Sequence, residues 1–313
     1  MTASRWRSIP WILAKLAVSA SLIAWIAARF DIESAASRIA GMRLELVVLA
    51  TLAMLAQYEL YAWRWWLILR TIGAPLGHGA ALRFTFVSFF FHQTLLPTIG
   101  VDAARIVLVA RAGIAMGAAV SGVAIDRLVA TFALALAAIL ATPPLQALLP
   151  VAGVAETLLA VGLVGALVAA APIDFAYRIE RRIARFPWLA PFRRFGEGAR
   201  ALAKDRRRLF AVLGLSLVIH ALSLAILALL IVAAGATIGI VDAVVLAVPV
   251  LVAASLPISF AGWGVREGAM VAIFVAAGVS GADALAASIA SGLLYLATSL
   301  IGAALWVADR RTR

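Results

Sequence analysis

Long apolar runs alternate with short polar ones along the whole chain. Runs at about residues 9–29, 44–69, 117–141, 152–172, 209–234 and 283–307 approach the roughly 20 residues that cross a bilayer as a helix. They are continuous rather than alternating, which excludes an outer-membrane β-barrel and predicts an all-α polytopic membrane protein. Two further apolar regions, 80–111 and 243–279, are interrupted. The first breaks at Leu96–Arg105, LPTIGVDAAR, and the second at Leu256–Gly268, LPISFAGWGVREG. Pro143–Pro144, Pro150 and Pro172 punctuate the middle, where helices are expected to end.

Composition agrees with this pattern. Of 313 residues, 65% are hydrophobic and 13% charged, with mean hydropathy +1.07, where a soluble domain is nearer half apolar. The net charge of +12 is concentrated: Arg178–Arg208 holds eleven Lys/Arg against three acidic residues. A short basic loop between spans is a positive-inside signal and a contact for anionic lipid headgroups, not a nucleic-acid surface. There is no cysteine. The three histidines are far apart, and no Walker loop or dinucleotide fingerprint occurs, so no metal or other cofactor is expected.

Basic residues set the orientation. Arg5/Arg7, Arg64/Arg70/Arg83, Arg111, the 178–208 loop and Arg310/Arg311/Arg313 are expected on the cytoplasmic side, with 9–29 retained as a first span. With both termini inside a cytoplasmic membrane, six spans account for every crossing, so each interrupted region returns to its starting side or crosses twice. Arms of 11 to 17 residues, about 16–26 Å long, favour return. Two re-entrant hairpins of opposite polarity are what an inverted repeat produces; the alternative is eight to ten ordinary, kinked spans. The chain reads as one transmembrane domain: a first half 1–172, a basic loop 173–208 and a second half 209–313.

Six charges lie in or beside apolar segments: Asp102, Arg105, Asp126, Arg127, Arg266 and Glu267. Facing lipid at the midplane they would cost on the order of 15–20 kcal/mol, more than the typical stability of a fold, about 5–15 kcal/mol. They must face protein, water or a bound anion. Asp102 and Arg105 share a helix face if the arm starts near residue 101, as a local ion pair or as part of a site. Asp126 and Arg127 point about 100° apart and cannot simply neutralise each other. Gly262, Gly264 and Gly268 allow a tight turn, and a helix starting at Gly264 or Val265 would aim exposed amides and Arg266 at a phosphate or carboxylate. In 44–69 the Trp cluster reads as an interfacial belt, Arg64 as a snorkelling anchor and Glu59 as a candidate to face a polar cavity. Ser216, His220 and Ser223 form a stripe suited to interhelical hydrogen bonds, or to a proton relay through His220. Ser288, Gly292, Tyr295 and Ser299 read as a packing face, and His92–Gln93 as cavity lining.

The run PTIGVDAAR, then Asp126–Arg127, Arg64–Trp65, and LPISFAGWGVREG resemble the lysylphosphatidylglycerol synthase transmembrane-region family of flippase-like membrane proteins. The resemblance covers nearly the whole chain. It implies movement of a lipid or lipid-linked headgroup between leaflets, in a free-standing protein without a synthase domain, with paired re-entrant segments around a central cavity. Its motif positions here are Arg64, Pro97, Gly100, Asp102, Arg105, Asp126, Arg127, Gly262, Gly264, Arg266 and Glu267. Val101 stands where the family commonly has a second Gly, which stiffens the first turn. The expected activity is thus a translocase, the phosphate held by Arg266, Arg105 and hairpin amides, with Asp102, Asp126 and Glu267 orienting the arginines. The rivals are a transferase or hydrolase with Asp126, Glu59 or Glu267 as general base, and a non-catalytic partner of a separate lipid-modifying enzyme.

Overall fold

The computed structural model describes residues 32–94, 97–183, 190–256 and 263–311. The expected first span, 9–29, and Gly262 lie outside them. Among the described residues every regular element is an α-helix: α1 (Ile32–Ala40), α2 (Leu44–Thr71), α3 (His78–Thr94), α4 (Pro97–Arg111), α5 (Met116–Leu148), α6 (Val154–Ile183), α7 (Ala190–Lys204), α8 (Arg206–Ala233), α9 (Ile240–Ser255), α10 (Val265–Ala276) and α11 (Gly281–Arg311). Five are long and apolar enough to cross a membrane, namely α2, α5, α6 over Val154–Ala171, α8 and α11, and they fall on the five expected spans inside the described region. The protein is a multi-pass helical membrane protein.

Prolines end fewer helices than expected. α5 runs through Pro143 and Pro144 to Leu148, and α6 runs past Pro172 to Ile183. Pro143 and Pro144 free the carbonyls of Ile139 and Leu140 at the end of an already long helix, a loss that a neighbouring helix can absorb in a membrane bundle. Each interrupted region is a pair of short helices packed against each other, α3 with α4 and α9 with α10. At 1.5 Å per residue these four helices reach about 18–26 Å, short of a hydrocarbon core of about 30 Å. α4 starts at Pro97, a favoured first helical position, so Gly100 and Val101 lie inside the helix rather than in the expected turn. A Cβ on Gly100 would come 2.9 Å from the Phe91 carbonyl oxygen; the absence of a side chain there lets α4 lie close on α3.

The packing has an internal correspondence. Long, short, short, long is the order of α2–α3–α4–α5 and again of α8–α9–α10–α11. Within each set the neighbours in sequence pack together, and the first long helix packs on the last. Between sets the contacts exchange: α3 packs on α11 as α9 packs on α5, α2 on α11 as α8 on α5, while the equivalent helices α2 and α8 pack on each other. Two copies related by a two-fold axis give this adjacency. The core between them is apolar, with Met54 and Tyr58 of α2, Ile226 and Leu230 of α8, Leu246 of α9 and Phe274 of α10 all buried.

The α3–α11 crossing depends on Gly302, where an added Cβ would overlap the backbone carbonyl of Phe86. Backbone cannot rotate aside, so Gly302→Ala is expected to lower stability by about 1–3 kcal/mol. Gly214→Ala in α8, which has open space around it, is expected to be neutral or stabilising. Thermal unfolding of the two variants in detergent checks the contrast.

Candidate functional site

A cavity of about 480 Å³ opens between the two short-helix pairs. Its walls come from α2 (Tyr61, Arg64), α3 (Phe89, His92, Gln93), α4 (Val101, Arg105), α5 (Asp126, Arg127, Leu134), α8 (His220, Ser223, Leu227), the last turns of α9 (Val250, Leu251), α10 (Arg266) and α11 (Tyr295). Arg105 and Arg266, carried by the two separate interruptions, therefore line one chamber. One side of it is cationic and the other aliphatic.

A three-residue ion cluster forms the cationic side. Arg64, Arg105 and Asp126 are 2%, 3% and 3% exposed. Arg64 grips Asp126 with two parallel bonds, Nε to Oδ1 at 2.8 Å and Nη2 to Oδ2 at 3.1 Å. Arg105 Nη1 donates to the same Oδ2 at 3.0 Å. The third donor of Arg64, Nη1, reaches the Ser216 hydroxyl at 3.1 Å, and that hydroxyl donates to the Val212 carbonyl. Arg64 is therefore not the expected surface anchor. It lies on the inward face with Gln57 and Tyr58, while Trp63, 45% exposed, takes the outward face. Polar positions 57, 61 and 64, spaced four and three apart, were the signal for this.

The expected local pair Asp102–Arg105 does not form. Instead the charges cross to the next helix: Arg105 binds Asp126, and Arg127 binds Asp102 through both Nε and Nη2 at 2.9–3.0 Å. Residues 112–115 join α4 and α5 as an antiparallel pair, which sets position 102 opposite 127 and 105 opposite 126. The same register answers the Asp126–Arg127 problem, since each of these diverging side chains finds its own partner on α4.

The second hairpin supplies Arg266 and Glu267. Arg266 donates to its neighbour's Oε1 from Nη2 at 2.6 Å and from Nε at 3.1 Å. Ser288 of α11 donates to the same oxygen at 3.2 Å. Glu267 Oε2 accepts the Gly264 amide at 2.6 Å, so Glu267 caps its own helix at the third position. Gly264, at φ 87°, makes the turn that a side chain would strain. The helix starts at Val265 as expected, but the Gly264 amide is already taken by Glu267 and is not exposed for an anion.

Aromatic rings back the arginines. Arg105 lies over Trp65 at 4.8 Å, Arg266 over Trp263 at 5.0 Å, and Arg64 over Tyr61 at 5.4 Å. Trp65 is wholly buried, so the expected belt is split: Trp63 faces outward and Trp65 supports the site. Gly292 of the expected packing face makes room for Arg266; a Cβ there would meet Arg266 Nη2 at 2.5 Å and the Trp263 ring at 2.7 Å. Ser288 and Tyr295 of that face also reach the site. Gly292→Ala is expected to displace the Arg266 guanidinium and slow any activity that uses it severalfold, with little change in melting temperature. Parallel activity and unfolding measurements separate the two effects.

Other expected residues fall as follows. His92 and Gln93 line the cavity. Gln57 donates to Ser223 at 2.6 Å and to the Ile219 carbonyl at 2.8 Å, so the α8 stripe does join α2 by hydrogen bonds. His220 Nε2 contacts the Ala130 carbonyl at 3.0 Å, with no acidic partner for a relay among the described residues. Glu59 is not brought to the cavity. Its side chain is 44% exposed and pairs with His78 at 3.0 Å, so Glu59→Gln is expected to leave activity unchanged in the same assay.

No curated protein matches the chain. Residues 12–302 match the family described as "Lysylphosphatidylglycerol synthase TM region", a span that takes in both short-helix pairs, the ion cluster, the long helices α2, α5, α6 and α8 and the greater part of α11; the chain belongs to that family.

Proposed function

We propose that the protein is a cytoplasmic-membrane translocase for a phospholipid or lipid-linked headgroup. Family membership supports an integral membrane protein of lipid modification or translocation. The observation that carries the finer reading is that Arg105 and Arg266, from two separate hairpins, line one cavity with Arg64, Asp126 and Arg127. Guanidinium forks suit a phosphate. The aliphatic wall of Leu134, Leu227, Val250 and Leu251 suits the start of the acyl chains, which stay in the bilayer. Three long helices and one hairpin separate the start of α2 from the start of α8. Whether that hairpin returns or crosses twice, the two halves then run in opposite directions. Rocking one inverted half against the other would alternate access to a fixed central site. In this reading the hairpins are re-entrant, both termini are cytoplasmic, and the basic segment, with Lys204, Arg206 and Arg207 exposed, rests on anionic headgroups.

The test is reconstitution of the full chain in liposomes holding a trace of headgroup-intact, tail-labelled phospholipid. Loss of leaflet asymmetry faster than in protein-free liposomes, with the lipid recovered chemically unchanged, is expected. Conversion of the label into a new species would instead make the protein a transferase or hydrolase.

A further inference from the structure

We propose that the cavity is matched to a single negative charge: its ligand is a phosphodiester monoanion, and dianionic phosphomonoesters and diphosphates are disfavoured. This rests on the reading of the cavity as a lipid-headgroup chamber and specifies its substrate class. Among the described residues, four guanidinium groups, of Arg64, Arg105, Arg127 and Arg266, meet three carboxylates, of Asp102, Asp126 and Glu267, leaving one positive charge in excess. The hairpin residues outside the described segments, 95–96 and 257–262, carry no charged side chain. The excess has an address. Arg127 and Arg266 each have a carboxylate of their own, whereas Arg64 and Arg105 share Asp126.

Arg105 is the weaker claimant. Arg64 holds Asp126 by two bonds and Arg105 by one. Arg105 Nε is buried with no hydrogen-bond partner among the described residues, although the residue is 3% exposed and lines the cavity. Trp65 covers the guanidinium at 4.8 Å. A buried, incompletely bonded cation facing a cavity is stabilised by one anionic oxygen pair. One negative charge brings the cluster to neutrality, whereas two would leave an uncompensated anion in the same low-dielectric space. The other titratable groups on the cavity wall are His92, His220, Tyr61 and Tyr295.

The experiment measures apparent Kd of the detergent-purified full-length chain, by tryptophan fluorescence, for dioleoyl-phosphatidylglycerol and dioleoyl-phosphatidate. At about pH 8.5 the phosphomonoester has lost its second proton and imidazoles are ordinarily neutral. The phosphodiester is expected to bind about tenfold tighter or more. Asp102→Asn raises the excess to two charges and is expected to erase or reverse the ranking. Glu267→Gln makes the same change from the other hairpin, should the first variant fail to fold. Tighter or equal binding of phosphatidate by the unmodified chain overturns charge matching alone, as does an unchanged ranking in the folded variants. Binding of neither lipid overturns the headgroup reading itself. Competition by glycerophosphoglycerol identifies the source: displacement at concentrations equal to the lipid's would make the ligand a soluble phosphodiester, and failure to displace keeps it a lipid. Displacement by inorganic phosphate, a dianion at this pH, would overturn charge matching.

Discussion

Asp126→Ala is expected to destabilise the protein by about 3–5 kcal/mol, the cost of stranding a buried charge partner, out of a typical total of about 5–15 kcal/mol. Asp126 is the carboxylate shared by two guanidiniums that are almost fully buried on different helices. Without it, Arg64 and Arg105 face each other as like charges, and among the described residues Arg64 keeps only the Ser216 hydroxyl as a hydrogen-bond acceptor. The lost contacts join α2, α4 and α5 at one point, so the effect is global rather than local. Thermal unfolding followed by size-exclusion chromatography in detergent measures it; a melting temperature near that of the unmodified protein would show that the cluster does not hold the bundle. The triple replacement Arg64→Met, Asp126→Leu, Arg105→Met is expected to recover much of the stability, because it removes the desolvation cost together with the charges. It is not expected to recover transport, which separates what the cluster does for folding from what it does for function.

Arg266→Ala is expected to leave the fold largely intact and to reduce lipid translocation by roughly ten- to a hundredfold, the equivalent of one or two charge-assisted hydrogen bonds. Glu267 keeps the Gly264 amide and the Ser288 hydroxyl as donors when Arg266 is removed, so its charge is not left bare as the arginines are in Asp126→Ala. Arg266→Lys retains the charge but loses the planar fork and the stack on Trp263, and is expected to fall between the two. Translocation rates in liposomes, read beside melting temperatures, decide the matter. Equal rates for wild type and Arg266→Ala would remove this residue from the site, and a rate that falls only in step with stability would make it structural.

Much of this was legible along the chain. Continuous apolar runs forced five of the observed long helices, and the Pro and Gly interruptions marked both short-helix pairs. The cost of charge at membrane depth required Asp102, Arg105, Asp126, Arg127, Arg266 and Glu267 to be shielded, and all six pair with an opposite charge. Arg64 was misread because a cation near the end of a span normally reaches for the interface. It turns inward here since Asp126 waits on α5 and Ser216 on α8. Trp65 was misread with its neighbours for the same reason: adjacent residues on a helix face different environments, and only the packing assigns them. Gly292 gave no local signal, because the side chains it makes room for belong to another helix.

The sequence by itself determined the solvent of this protein, the places where its helices break and the charges that lipid cannot touch, because each of those follows from local hydropathy and backbone chemistry. The tertiary structure alone decided the partners. Exchange of Asp102 and Arg105 onto Arg127 and Asp126, the sharing of one carboxylate between α2 and α4, and the meeting of Arg105 with Arg266 across 160 intervening positions all depend on the register of packed helices, which no stretch of sequence carries within itself.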